Sequence, residues 1–314
     1  MPFQVPTQTY SGKIEEVTLG TGEKSVTLGG ETTLAWHEFE GEIASHPKVA
    51  MEVYDNNPSD WPEAINKEIA EVASDPVKWA LKCQNEWSAD LVCLQLASTD
   101  PNGEDRSGDA AAKTVSDVLE AIDIPLIVYG TENAEKDKEV LEKVANVASG
   151  KNIGIGPATE ENYKTIAAAV MGFDLNIIAL TPCDVNLAKQ LNILLSQMGL
   201  SKNKIIIDPS TGALGYGLDY TYTIIERLKL AALQQGDDMT RFPVICNLGI
   251  ESWKTKEAKV TAAEEPSWGD GATRAISWEL MTALSMATAG ADLLVMRHPE
   301  AVAGFKKAVS EITK

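Results

Sequence analysis

Eight short apolar runs, each stopped by polar or turn-forming residues and separated by helix-length segments, constrain this chain more than any other feature. They fall at 49–54, 91–96, 124–129, 152–156, 177–180, 204–208, 243–247 and 292–296. All are close to continuously apolar, as strands covered on both faces should be. The segments between them, including 63–74, 110–121, 137–148, 163–171, 187–198, 220–234 and 273–289, carry apolar residues at helical spacing with few breakers. A doubly wound open sheet also alternates strand and helix. Eight units in roughly 250 residues match a closed α/β architecture better, the (β/α)8 TIM barrel.

The chain has 314 residues, more than a minimal barrel needs. The expected division is an N-terminal extension over 1–45 and the barrel over 46–314. Within the extension, 13–19 and 24–28 alternate around Gly20-Thr21-Gly22, which predicts a β-hairpin. Covering the barrel floor is the expected job of that hairpin; a partner-binding arm is the other reading. Lys+Arg number 27 against Asp+Glu 46, a formal net charge of −19, which repels polyphosphate backbones and anionic membranes. No nucleic acid and no membrane is therefore expected as a partner. No run reaches the ~20 apolar residues of a spanning helix, and the opening MPFQVPTQTY lacks the basic and apolar regions of a signal peptide, so a cytoplasmic location is expected. Cys83, Cys93, Cys183 and Cys246 lie far apart with no C-x-x-C pair, and neither zinc nor an iron–sulfur cluster is expected on this chain.

In such a barrel chemistry sits where strands end and the following loops begin. That rim comprises Asp55, Asn56 and Asn57 after the first strand, Ser98, Thr99 and Asp100 after the second, and Thr131, Glu132 and Asn133 after the third. Asp208, Ser210, Thr211 and Gly212 follow the sixth, Asn247 the seventh and Arg297 the eighth. The rim is rich in neutral hydrogen-bonding groups and poor in the lysines and histidines that anchor phosphates or move protons. A Schiff-base lysine inside the barrel is missing, since Lys204 opens its strand at the opposite face. Asp55, Asp100 and Asp208 come from strands that need not converge on a metal, and turn or helix-capping duty is their ordinary reading. His298, before Pro299, reads as a cap of the last helix, and His37 and His46 read as surface residues ahead of the barrel.

Three features carry two readings each. Cys183, on the functional face, is a thiolate candidate or a bystander. The run Gly212-Ala213-Leu214-Gly215-Tyr216-Gly217 has neither Walker nor dinucleotide spacing, so it reads as a weak phosphate cradle or as a turn bringing backbone close to a flat group. The connection over 250–272 is long, with Trp253, Trp268, Lys254, Lys256 and Lys259; it reads as an aromatic lid or as tryptophans packed under their own loop, with a short helix possible over 254–263.

The stretches 204–233 (KIIIDPSTGALGYGLDYTYTIIERLKLAAL) and 246–258 (CNLGIESWKTKEA), with the turn WGDG at 268–271, resemble the small subunit of the corrinoid iron–sulfur protein. The archaeal delta subunit of the acetyl-CoA decarbonylase/synthase complex is its nearest sister, and the likeness runs over essentially the whole chain. The resemblance implies a heterodimer whose larger partner carries the iron–sulfur cluster and a cobalamin-binding domain, with the corrinoid at the junction with this barrel. It further implies methyl transfer from methyltetrahydrofolate, through a separate methyltransferase, to acetyl-CoA synthase/CO dehydrogenase. The rim residues named above are then the expected cobalamin-contacting set, with no catalytic residue and no metal ligand of this chain's own. The sequence lacks a D-x-H-x-x-G motif, so no histidine is marked as a lower cobalt ligand. The alternatives are a stand-alone pterin-dependent methyltransferase, for which Asp208 and Asn247 sit at plausible strand ends, and a purely structural interaction subunit.

Overall fold

The computed structural model describes residues 5–58 and 60–313. Two short antiparallel strands, β1 (Val17–Leu19) and β2 (Val26–Leu28), make the hairpin. The barrel strands are β3 (Lys48–Tyr54), β4 (Leu91–Gln95), β5 (Leu126–Tyr129), β6 (Gly154–Ala158), β7 (Asn176–Leu180), β8 (Ile205–Asp208), β9 (Ile245–Cys246) and β10 (Leu293–Met296). They pair in parallel in the order β8-β7-β6-β5-β4-β3-β10-β9. The two ends meet where Ile207 bridges Val244 and the Ile207 amide donates to the Pro243 carbonyl at 2.8 Å, which closes the barrel. The expected (β/α)8 fold with its N-terminal hairpin is therefore what the chain adopts.

Period-two alternation sorts the strand residues. Ala50, Leu91, Cys93, Ile127, Ile178, Ile206, Ile245, Leu293 and Val295 form the inward cluster, while Met51, Val92, Leu94, Val128, Ile177 and Leu294 face the helices. Those helices are α1 (Glu63–Ile69), α2 (Pro76–Asn85), α3 (Gly108–Ala121), α4 (Ala134–Val147), α5 (Tyr163–Phe173), α6 (Val185–Gln197), α7 (Leu218–Leu233), α8 (Leu248–Lys254), α9 (Lys256–Lys259), α10 (Gly271–Ala289) and α11 (Pro299–Ile312). Asp75, Ser107, Asn133, Asp184, Asp270 and His298 accept backbone N–H groups at the starts of α2, α3, α4, α6, α10 and α11, satisfying donors that a helix N-terminus leaves unpaired. The WGDG turn thus carries the capping aspartate of α10, Asp270.

Three stretches differ from expectation. The fourth barrel strand lies two residues later than 152–156, because Asn152 is left-handed (φ 51) and Pro157 is taken up where the β6–β7 register shifts. The first inter-strand segment folds as two helices, with Asp75 and Pro76 starting the second. The connection over 250–272 is largely not a loop, since α8 begins at Leu248 and Thr255 caps α9.

The floor is closed by the extension. Val17, Leu19 and Leu28 are fully buried in the same cluster as the inward strand residues. Asn152 Nδ2 donates to the carbonyls of Thr18 and Gly20 at 2.7 and 3.1 Å. A buried ion cluster completes the attachment: Lys229 of α7 reaches Glu31 at 2.5 Å and Asp292 at 2.8 Å, and Asp292 also accepts the Val244 amide. Burial disfavours the Lys229 charge, but the Asp292 and Glu31 carboxylates more than offset it and raise its pKa.

Candidate functional site

Continuing the inward alternation toward the strand C-termini replaces apolar residues by polar ones: Glu52 and Tyr54 on β3, Gln95 on β4, Tyr129 on β5, Asp208 on β8, Asn247 after β9 and Arg297 after β10. The mouth above this layer has two adjoining hollows of about 430 and 500 Å3, which share Tyr54, Ala97, Ile250 and Lys254 as common walls.

Asp208 lies on the floor of the first hollow, only 2% exposed. Its Oδ2 accepts the Tyr129 hydroxyl at 2.8 Å and its Oδ1 the Ser210 amide at 3.0 Å, and no cation pairs with it among the described residues. Burial pushes its carboxyl up to about 7 against the pull of those two hydrogen bonds. One group able to exchange a proton near neutrality is therefore present. Beside it, Gln95 Nε2 donates to Asn247 Oδ1 at 3.3 Å, and the hydroxyl of Thr211 is buried with no hydrogen-bond partner. Ser210 and Glu132, which also line this hollow, both have left-handed backbones (φ 61 and 64), a conformation non-glycine residues hold only when their surroundings impose it. Ser210 is held by its hydroxyl on the Thr181 carbonyl, and the loop before Glu132 by the Thr131 amide on buried Asp137. Burial raises that carboxyl to about 6.

The second hollow is built around Arg297. Its Nε donates to Glu52 at 2.6 Å, and its guanidinium lies 3.6 Å from the Trp61 ring centroid and 5.6 Å from that of Tyr54, which packs edge-on against Trp61. Glu279 of α10 fixes the strand end beneath it, accepting the Arg297 and His298 amides and the Trp253 indole N–H. Burial pushes Glu279 up to about 7. Trp253 is accordingly core, stacked on His298, and His298 Nδ1 accepts the Glu300 amide as the cap of α11. Burial holds its pKa below the usual histidine value.

Of the rim residues expected from sequence, Asp100, Thr131, Glu132, Asp208, Ser210, Thr211 and Asn247 line the first hollow, and Asn56, Asn57 and Arg297 the second. The others are spent elsewhere. Asp55 binds the Ser98 amide and hydroxyl and both are buried; Thr99 donates to the Leu96 carbonyl; Asn133 caps α4. Gly212 packs against the Gly217 backbone, where a side chain would collide, and Gly217 (φ 94) starts α7. The glycine run is thus an internal turn, not a phosphate cradle. Cys183 is exposed, with its sulfur 3.5 Å from the Ser210 carbonyl. Gln95, Tyr129, Tyr54 and Trp61 escaped the sequence reading; the first three sit within strands, where the two-residue alternation is the signal that marks them as inward.

Among the described residues the mouth holds no paired nucleophile and base. It can present neutral hydrogen-bonding groups to a ligand, stack aromatic surface and keep one buried carboxyl near its titration point. Among the described residues no helix is long and apolar enough to cross a membrane.

Residues 16–304 match the family model described as CO dehydrogenase/acetyl-CoA synthase delta subunit. The acetyl-CoA decarbonylase/synthase complex subunit delta of Archaeoglobus fulgidus is 39% identical over 317 aligned positions, covering 97% of this chain and 70% of the relative. That of Methanocaldococcus jannaschii is 33% identical over 320 positions, covering 100% and 77%. Among solved structures, Xanthomonas albilineans dihydropteroate synthase with 4-aminobenzoic acid superposes with a TM-score of 0.60 at 15% identity, covering 95% of this chain and 98% of that one. The dihydropteroate synthase of Thermus thermophilus does so at 0.55 and 15%, covering 89% and 98%. At such identities the structural likeness concerns the fold alone.

Proposed function

The chain belongs to the CO dehydrogenase/acetyl-CoA synthase delta subunit family, and from that premise we propose that it is the small subunit of a heterodimeric corrinoid iron–sulfur methyl carrier, its barrel mouth laid over the corrinoid of a larger partner. Membership carries a role in acetyl-CoA synthesis as part of a multi-subunit assembly. The finer reading adds a large subunit bearing cobalamin and the iron–sulfur cluster, together with two exchange partners, the methyltetrahydrofolate methyltransferase and acetyl-CoA synthase/CO dehydrogenase.

The observation that carries it is the make-up of the mouth. A corrin is a broad, largely apolar plate edged with carboxamides, and the residues present fit such a plate. Thr211 offers an unpartnered buried hydroxyl, the Gln95–Asn247 pair offers amide edges, and Tyr54 and Trp61 offer aromatic surface. Among the described residues no histidine lines either hollow. When bound, the corrinoid supplies a low-valent cobalt that accepts a methyl group and yields it to the next centre. This chain's own residues bind and orient. Arg297, locked by Glu52 and Trp61, and Asp208, locked by Tyr129 and Ser210, hold fixed positions on the wall of the mouth.

The test is to recover the chain from its host and read partner masses, cobalt and iron content and the visible spectrum. A second, larger subunit with near-stoichiometric cobalt and several irons is expected. A lone chain without metal or chromophore overturns the reading and leaves the stand-alone pterin enzyme, to be tried with folates.

A further inference from the structure

We infer that the first hollow of the mouth is a socket for an uncharged primary carboxamide, gripped by the Gln95–Asn247 pair and Asp208. This deepens the reading above and rests on it. Gln95 and Asn247 share one hydrogen bond through Nε2 and Oδ1. Each keeps its other polar atom, Gln95 Oε1 as an acceptor and Asn247 Nδ2 as a donor, without a protein partner among the described residues, and both residues line the hollow. One carboxamide complements that pair of atoms, giving an N–H to the first and a carbonyl to the second.

Charge excludes the nearest isosteres. Among the described residues Asp100, Glu132, Glu251 and Asp208 line the hollow against Lys254 alone, which disfavours a carboxylate. An ammonium would need Asp208 ionised in a site where burial favours its neutral form. A carboxamide satisfies both states of Asp208, donating N–H to the carboxylate or accepting from the acid. The hollow, about 430 Å3, takes such an arm with ordered water beside it.

The carboxamide has two possible sources, a peripheral amide arm of the corrinoid or an Asn or Gln side chain of the partner subunit. The full chain is titrated with dicyanocobinamide, whose arms are amides, and with cobyrinic acid, whose arms are carboxylates, following the visible spectrum. Wild type is compared with Asn247→Leu, Asn247→Ser and Gln95→Leu, each first checked for an unchanged far-UV spectrum and melting temperature. A corrinoid arm predicts dicyanocobinamide bound about tenfold more tightly than cobyrinic acid, a preference lost in all three variants. If the variants weaken assembly with the large subunit by a similar factor and leave dicyanocobinamide binding untouched, the socket stands and the partner supplies the amide. If corrinoid binding, the preference for amide arms and assembly are all unchanged in the variants, the socket is overturned while the covering role survives. Failure of both the chain and its heterodimer to hold any corrinoid would instead falsify the covering role itself.

Discussion

The two ends of this barrel each bury carboxylates, and they treat them differently. At the floor, Asp292 and Glu31 flank the Lys229 ammonium, so each buried charge has an opposite neighbour within 2.8 Å. At the mouth, Glu52 is likewise paired, with Arg297, but Asp208 has a phenol and a backbone amide for partners and, among the described residues, no cation. Ion pairing under a closed plug fixes one arrangement and leaves nothing for a ligand to do. An uncompensated acid beside an open hollow is instead a group whose state a ligand can change. The comparison locates function by what is left unsatisfied rather than by what is reactive.

Breaking the floor has the largest effect. Lys229→Met leaves two buried carboxylates facing each other and costs about 3–5 kcal/mol in urea unfolding; adding Glu31→Gln and Asp292→Asn recovers most of it. A loss below about 1 kcal/mol for the single variant would erase the distinction between the two ends. Next comes the plug: Leu19→Ala empties a fully buried position and costs about 2–4 kcal/mol.

The mouth responds to pH instead. Asp208 in the folded chain titrates near 7, far above its unfolded value, so the folded state retains a proton that the unfolded state has released. Stability from this group is therefore present below about pH 4 and is lost as pH rises toward 7 and beyond. Asp208→Asn lacks the effect. Its stability relative to wild type improves by on the order of 2 kcal/mol between pH 4 and pH 8, read from paired denaturation curves, and a pH-independent difference would refute it. Glu279, Asp137 and Asp292 titrate in both proteins and cancel. The smallest change belongs to Asn247→Ser, within about 0.5 kcal/mol of wild type in urea unfolding, because its side chain supports no backbone and its one amide contact, to Gln95, is long at 3.3 Å.

The barrel was legible because continuous apolar strands and helical segments repeat at a regular interval, and burial on both faces leaves few other arrangements. The rim was legible only in part. Reading residues after each strand found Asp208, Asn247 and Arg297, but the same rule selected Ser98 and Thr99, which turn inward to serve Asp55 and the Leu96 carbonyl. It passed over Gln95 and Tyr129, which lie inside strands. Trp253 illustrates the remaining gap: its aromatic ring marks importance, but only Glu279, 26 residues away, decides that it is core. The lysine–carboxylate cluster was invisible for the same reason, since Glu31 and Lys229 lie 198 residues apart.

That separation bears on how the molecule comes into being. The hairpin leaves a ribosome before any strand of the barrel, yet its seat is lined by residues from strands made throughout the chain, and Asp292 immediately precedes the last of them. Trp36 likewise donates its indole N–H to the carbonyl of Ala287, 251 residues further on. The extension must wait, with Val17, Leu19 and Leu28 uncovered, until β10 exists, so its docking is a late and slow event set by loop closure rather than by local propensity. During synthesis the nascent chain carries an apolar hairpin without a home, and this interval is when a chaperone has most to protect.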